Sequence, residues 1–148
     1  MPETRIEELD SADAWREAYP VIAQLRPQDE KVFVERMRRM YDERYRLFGL
    51  YDGETLVSLA GVRELMTLYH GNHAWVYDLV TREDRRSEGF GAEILAYVED
   101  WARERDCEVV ELASALYRED AHRFYEEAAG YERFCYTFTK NLWERRAE

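Results

Sequence analysis

The chain is 148 residues long and 46% hydrophobic, with a formal net charge of −11 at pH 7. That length fits a single domain over residues 1–148 with a real core, the acidic balance argues against a nucleic-acid surface, and no apolar run reaches the length of a membrane span. The opening Met1-Pro2-Glu3-Thr4-Arg5 lacks the basic-then-apolar form of a secretory leader, so a cytoplasmic protein without a membrane partner is expected.

Thr4 to Leu9 alternates and reads as an opening strand. Asp10 and Ser11 can cap a helix with Trp15, Tyr19, Ile22 and Ala23 on one face. Pro27 breaks the chain, and a second helix carries Phe33, Met37, Met40 and Tyr41 at helical spacing. Tyr45 to Tyr51 reads as a strand, Asp52-Gly53 as a hairpin turn and Thr55 to Leu65 as its partner. Gly71-Asn72 marks a further turn before a strand from Ala74 to Thr81. Gly91 to Arg105 is an amphipathic helix that buries Ile94, Leu95, Val98, Trp101 and Ala102. Cys107 to Ala113 is a short apolar strand. Asp120 can cap a late helix with Ala121, Phe124, Tyr125 and Ala128 inside, ended by Gly130. Tyr131 to Leu142 supplies one or two closing strands. The order β-α-α-β-β-β-α-β-α-β-β predicts an α/β (α+β) sandwich with a mixed sheet.

The most informative segment is Arg86-Ser87-Glu88-Gly89-Phe90-Gly91-Ala92, at a strand-to-helix junction. Two glycines one residue apart let a backbone come close to a ligand, and the helix start leaves N–H groups without internal partners. Such a junction seats phosphate. A dinucleotide fingerprint needs a third glycine where Ile94 stands. A nucleoside-triphosphate loop needs Gly-Lys-Ser/Thr, which is absent. The remaining pattern is R-x-x-G-x-G.

With that pattern the chain resembles the GNAT superfamily of acetyl-CoA-dependent N-acyltransferases over nearly its whole length, most strongly from Ala74 to Lys140. Tyr77-Asp78-Leu79-Val80-Thr81 resembles the family's fourth strand. Arg86, Gly89 and Gly91 match its pyrophosphate loop. Ala121, Phe124 and Tyr125, then Gly130-Tyr131, resemble its late helix. The resemblance implies a three-layer sandwich, mostly antiparallel, whose fourth and fifth strands splay apart. The backbone of Leu79, Val80 and Thr81 would then pair with the pantetheine of acetyl-CoA. Ser87, Glu88, Gly89, Phe90, Gly91 and Ala92 would give N–H groups to the pyrophosphate, and Arg86 would add charge. Arg118 stands where many members carry a cofactor-touching asparagine.

The resemblance also implies the chemistry: transfer of acetyl from acetyl-CoA to a primary amine of a small molecule or peptide, in a ternary complex. Tyr125 would protonate or hold the leaving thiolate. Asp78 or Glu111, on the two strands flanking the cleft, would help deprotonate the amine. Strand alternation implies that Tyr77 and Asp78 do not both face that cleft. The family usually has three residues between this tyrosine and the glycine; here there are four (Glu126, Glu127, Ala128, Ala129). That departure supports an alternative, a non-catalytic acyl-CoA-binding regulatory or assembly module. A different acyl donor, such as succinyl-CoA, is a third reading.

Other residues carry weaker signals. Cys107 and Cys135 lack metal or disulfide spacing and read as reduced, mostly buried thiols. His70, His73 and His122 suit no metal site, so no metal is expected. Tyr41, Tyr45, Tyr69 and Trp75 fit either a core or an acceptor pocket. Phe134, Tyr136 and Phe138 alternate as a core face or a dimer interface would, and this fold often forms homodimers through its last strands. Lys31 and Lys140 are the only lysines among 21 basic residues. That imbalance fits an acidic surface adapted to high salt, as in a halophile, or a genome that favours arginine codons.

Overall fold

The computed structural model of the protein describes residues 3–143. The chain divides into two compact units, Met1–Leu112 and Ala113–Glu148.

The first unit carries strands β1 (Thr4–Glu8), β2 (Tyr45–Asp52), β3 (Thr55–Thr67), β4 (Gly71–Thr81) and β5 (Val109–Leu112), with helices α1 (Ala12–Leu25), α2 (Glu30–Asp42) and α3 (Phe90–Glu104). The sheet runs in the order β1-β2-β3-β4-β5. The first three pairings are antiparallel and β4–β5 is parallel, as a helical crossover through α3 requires. Helices pack on both faces. Leu47 joins the core formed with α1 and α2, whereas Phe48, its neighbour on the strand, points the other way and meets Tyr97 and Trp101 of α3 at centroid distances of 5.2 and 5.9 Å.

Local chemistry sets these elements. Ser11 caps α1 by accepting from the Ala14 N–H at 3.2 Å. Trp15 then fixes the helix to the strand before it, its indole N–H donating to the Leu9 carbonyl at 2.7 Å. Pro27 stops α1, because the residue before a proline is pushed out of helical geometry; Arg26 sits at φ −127°, ψ 80°. On α3 the stripe Ile94, Leu95, Val98, Trp101 and Ala102 is buried as its spacing predicts. Each full-sized aliphatic in it gains about 1.5–3 kcal/mol on leaving water.

The second unit holds α4 (Glu119–Arg123), which runs into a single π-helical turn over Phe124–Ala128. Its cap differs from expectation. Arg118, not Asp120, occupies the cap position, and no side chain caps the helix; Asp120 instead pairs with Arg123. Residues 130–141, where closing strands were expected, carry no helix or strand. Phe134, Tyr136 and Phe138 are all exposed, so their alternation does not mark a core face. The element order is otherwise the expected one. Cys107 is half-buried but Cys135 is exposed, against the expectation of mostly buried thiols.

Candidate active site

The site begins with a length mismatch. β5 pairs with β4 only from His73 to Val76, while β4 continues to Thr81. Beyond Val76, therefore, β4 has a strand neighbour among the described residues on the β3 side alone. Ladder parity decides which groups face the open side. Arg82 N–H donates to the Val57 carbonyl at 2.7 Å and Ser58 Oγ to the Val80 carbonyl at 3.0 Å, so Val80 turns its main chain toward β3. Leu79 and Thr81 turn theirs toward the open edge. Val80, expected there too, is directed elsewhere by this register. The Thr81 carbonyl already accepts from Gln24 of α1 at 3.3 Å.

A bulge reshapes the middle of the same strand. Val62 pairs with Val76 and Gly61 with Asp78, which leaves Tyr77 as an extra residue. The extra residue rephases the strand. Trp75 opposes Arg63 and Asp78 opposes Gly61, and since Arg63 and Gly61 lie two apart on β3, Trp75 and Asp78 share one face. Simple alternation would have put them on opposite faces. The same bulge lets Tyr77 and Asp78 both line one cleft, against the expectation from alternation.

That cleft, of about 540 Å³, lies between the α1–α2 pair and the sheet. At its base Tyr45 Oη donates to Asp78 Oδ2 at 2.5 Å, and Arg26 Nε donates to Asp78 Oδ1 at 3.0 Å. Arg26 also reaches the Tyr77 carbonyl at 3.0 Å, so the helix stop imposed by Pro27 delivers a guanidinium to the bulge. Burial pushes the Tyr45 phenol well above its ordinary pKa, and the charge and hydrogen bond of Asp78 push it further. Tyr45 is thus a phenol, and a donor, throughout the physiological range. It fits only because residue 61 is glycine: a Cβ there would lie 1.6 Å from Tyr45 Oη. Of the four aromatics considered for a pocket, Tyr45 lines this cleft and Tyr41, Tyr69 and Trp75 do not.

Glu111 shares this face of the sheet through its pairing with Trp75, but it does not line the cleft. Its carboxylate is held by His70. Asp78 and Glu111 do lie on neighbouring strands, β4 and β5, but Asp78 lines this cleft and Glu111 does not.

The loop after β4 supplies the second half of the site. Ser87 (φ 67°) and Gly89 (φ 88°) both adopt left-handed backbone, which folds the chain back into α3. No side chain caps the N-terminus of that helix, so its first N–H groups are left to solvent or ligand. Arg85 holds the loop from behind. It pairs with Asp52 at 2.5 Å and Glu88 at 3.0 Å, and stacks over the buried Phe90 ring at 5.2 Å. These carboxylates raise its pKa further. Glu88 and Phe90 therefore anchor the loop through their side chains. Arg86 is exposed, with no ion pair among the described residues, as are Ser87, Gly89 and Ala92.

Comparison with known proteins settles the family. Residues 10–131 match the description "Acetyltransferase (GNAT) family". The chain belongs to the GNAT acetyltransferase family. It is 36% identical over 137 residues to the uncharacterized N-acetyltransferase YhdJ of Bacillus subtilis, covering 91% of this chain and 96% of that one. It is also 36% identical over 102 residues to the aminoalkylphosphonate N-acetyltransferase of Salmonella typhimurium, covering 66% and 62%. An aminoglycoside N-acetyltransferase solved in complex with CoA superposes with a TM-score of 0.83 over 95% of each chain, at 10% identity. The chain is accordingly an acetyltransferase.

In the second unit of this acetyltransferase, Tyr125 packs against Phe124 and Tyr131 at centroid distances of 5.3 and 6.2 Å. Burial raises its pKa, opposed by the charge of Arg118, so it is a phenol at neutral pH. The π turn explains how four residues fit between it and Gly130. Ala129 N–H donates to the Phe124 carbonyl, an i→i+5 bond, and Tyr131 N–H then closes onto the Tyr125 carbonyl at 2.8 Å. His122 donates from Nε2 to the Ala115 carbonyl at 2.8 Å, and buried His73 donates from Nδ1 to the Gly71 carbonyl at 3.2 Å. Two side chains of the cleft went unread in the sequence, Arg26 and Arg63. An arginine directly before a helix-stopping proline, and another inside an apolar strand, were the available signals.

Proposed function

We propose that the protein transfers an acetyl group from acetyl-CoA to a primary amine bound in the α1–α2 cleft. The carrying observation is the β4 edge left open beyond Val76, continuous with the left-handed turns of Ser87 and Gly89 and the uncapped start of α3. Leu79 and Thr81 would pair with the pantetheine amides. The N–H groups from Ser87 to Ala92 would take the pyrophosphate, with Arg86 adding charge and Arg118 acting as a further cofactor contact. The amine nitrogen attacks the thioester carbon, the C–S bond breaks, and CoA leaves as a thiol. Positioning the two reactants supplies most of the acceleration.

Asp78 is the carboxylate in this cleft and would receive the ammonium group. With both oxygens already engaged, it is better suited to orient the amine and pass its proton to water than to hold that proton. Glu111, tied to His70, would act at most through water. Tyr125, kept protonated by burial, would give its proton to the departing sulfur. Relatives named as N-acetyltransferases, one of them for an aminoalkylphosphonate, support an amine acceptor.

The test is thiol release from acetyl-CoA on a panel of amines. Turnover is expected, and Tyr125→Phe should lower kcat about 100-fold or more with little change in stability. Absence of turnover on every amine, or an unchanged Tyr125→Phe enzyme, would refute the assignment.

A further inference from the structure

Resting on the reading of the cleft as the acceptor site, we infer that the acceptor is a small amine that carries its own anion, a carboxylate or phospho group seated by Arg63 and Arg36 while its amine lies at Asp78. Among the described residues the cleft is lined by three guanidiniums, Arg26, Arg36 and Arg63, but by one carboxylate, Asp78. Arg26 already matches Asp78. Arg36 donates to the neutral Gln28 Oε1 at 3.0 Å. Arg63 lies with its guanidinium carbon 5.6 Å from the centroid of the Tyr77 ring, and its Nε is buried with no hydrogen-bond partner among the described residues.

This imbalance is unusual for such a chain, which has 32 acidic residues against 21 basic ones. Carboxylates are abundant, yet none among the described residues pairs with Arg63. An aromatic face stabilises a guanidinium but accepts no conventional hydrogen bond from Nε–H, and an unsatisfied buried donor costs roughly 1–3 kcal/mol. Arg63 lines the cleft, and its guanidinium can offer parallel donors there to a planar or a tetrahedral anion.

The register sets the spacing. Asp78 opposes Gly61, and Arg63 is two residues further along the same face of β3. Two strand residues span about 7 Å. An acceptor whose amine and anion are joined by a short alkyl chain bridges that span. A diamine would bring a second cation toward the guanidiniums and be repelled.

The experiment compares aminobutyrate, aminopropyl phosphate, butylamine and diaminobutane as acceptors, using the full chain and acetyl-CoA. The two anionic amines should show kcat/KM values roughly 10- to 100-fold above butylamine, with diaminobutane poorest; the better of the two tells carboxylate from phosphate. Arg63→Gln should bring the anionic-to-neutral ratio toward one, mainly by raising KM, and Arg36→Gln should shift it less in the same direction. Equal use of butylamine by the wild type, or an Arg63→Gln enzyme that keeps the ratio, overturns the inference. If Arg63→Gln fails to fold, Arg36→Gln and competitive inhibition by propyl phosphate decide. If no amine turns over, the proposed function fails by itself. Calorimetry with propyl phosphate then decides the anion seat: binding weakened by Arg36→Gln upholds it, and no binding to wild type removes it.

Discussion

The loop after β4 and the cleft beneath α1 and α2 adjoin one strand but are made of different material. The loop and the open edge present main chain: two left-handed residues, Ser87 and Gly89, and the side of Leu79 and Thr81 that no strand among the described residues covers. The cleft presents side chains: Tyr45 and Arg26 on Asp78, with Arg63 over Tyr77. A main-chain site depends on backbone shape and on the absence of side chains. A site of side chains depends on each neighbour's identity. Substitutions should therefore act differently in the two places.

Gly61 and Gly89 give the sharpest contrast. Gly61→Ala drives a Cβ to 1.6 Å from Tyr45 Oη and 2.3 Å from its Cζ. The ring must leave and its bond to Asp78 must break, so a loss of about 3 kcal/mol is expected in urea unfolding. Arg26→Gln comes next, because it strips a buried carboxylate of its charged partner. Since Arg26 is itself half-exposed, a loss of roughly 1–2 kcal/mol is expected, with a raised KM for the amine. Gly89→Ala meets no atom within 4 Å and carries only the strain of φ 88°, about 1 kcal/mol. Its larger effect should be on the KM for acetyl-CoA. Should Gly89→Ala prove as destabilising as Gly61→Ala, the distinction between backbone-made and side-chain-made sites fails.

Tyr45→Phe is the mildest change, costing about 1 kcal/mol at pH 7, and its signature lies in pH. The folded-state pKa of Tyr45 is raised well above 10.0, so its stabilisation is complete below the unfolded pKa and is lost as pH rises through the folded one. Tyr51, pushed up to about 12 chiefly by burial, acts in the same direction. Unfolding followed from pH 9 to 12 should show wild-type stability falling with pH. The fall should be shallower in Tyr45→Phe, and an equal slope would mean that the phenol is not what titrates.

The same division explains what the sequence disclosed. Glycine spacing before an amphipathic stripe encodes backbone shape directly, so Gly89, Gly91 and α3 were legible. The helix faces of Trp15 and Phe33 were legible because burial follows period. The joint placement of Tyr77 and Asp78 was not, because one unpaired residue in β4 inverts the alternation on which such a reading rests. Glu111 was read onto a strand flanking the cleft but not to its partner, since His70 lies 41 residues away and meets it only through strand pairing. The closing strands were predicted from alternation at Phe134, Tyr136 and Phe138, yet alternation shows only that a segment could pair. Without a partner strand among the described residues, those side chains stay exposed.

The turn of π-helix after Arg123 has a consequence for how such chains drift apart over time. An added residue inside a helix normally rotates everything beyond it by about 100°. Here one widened turn takes up the added length, and Gly130, at φ 78°, closes the helix as it would without the insertion. The helix end works as slack in the chain. Descendants can gain or lose a residue there while their side chains on either side keep their bearings, so a spacing rule counted in residues would reject relatives that share the geometry.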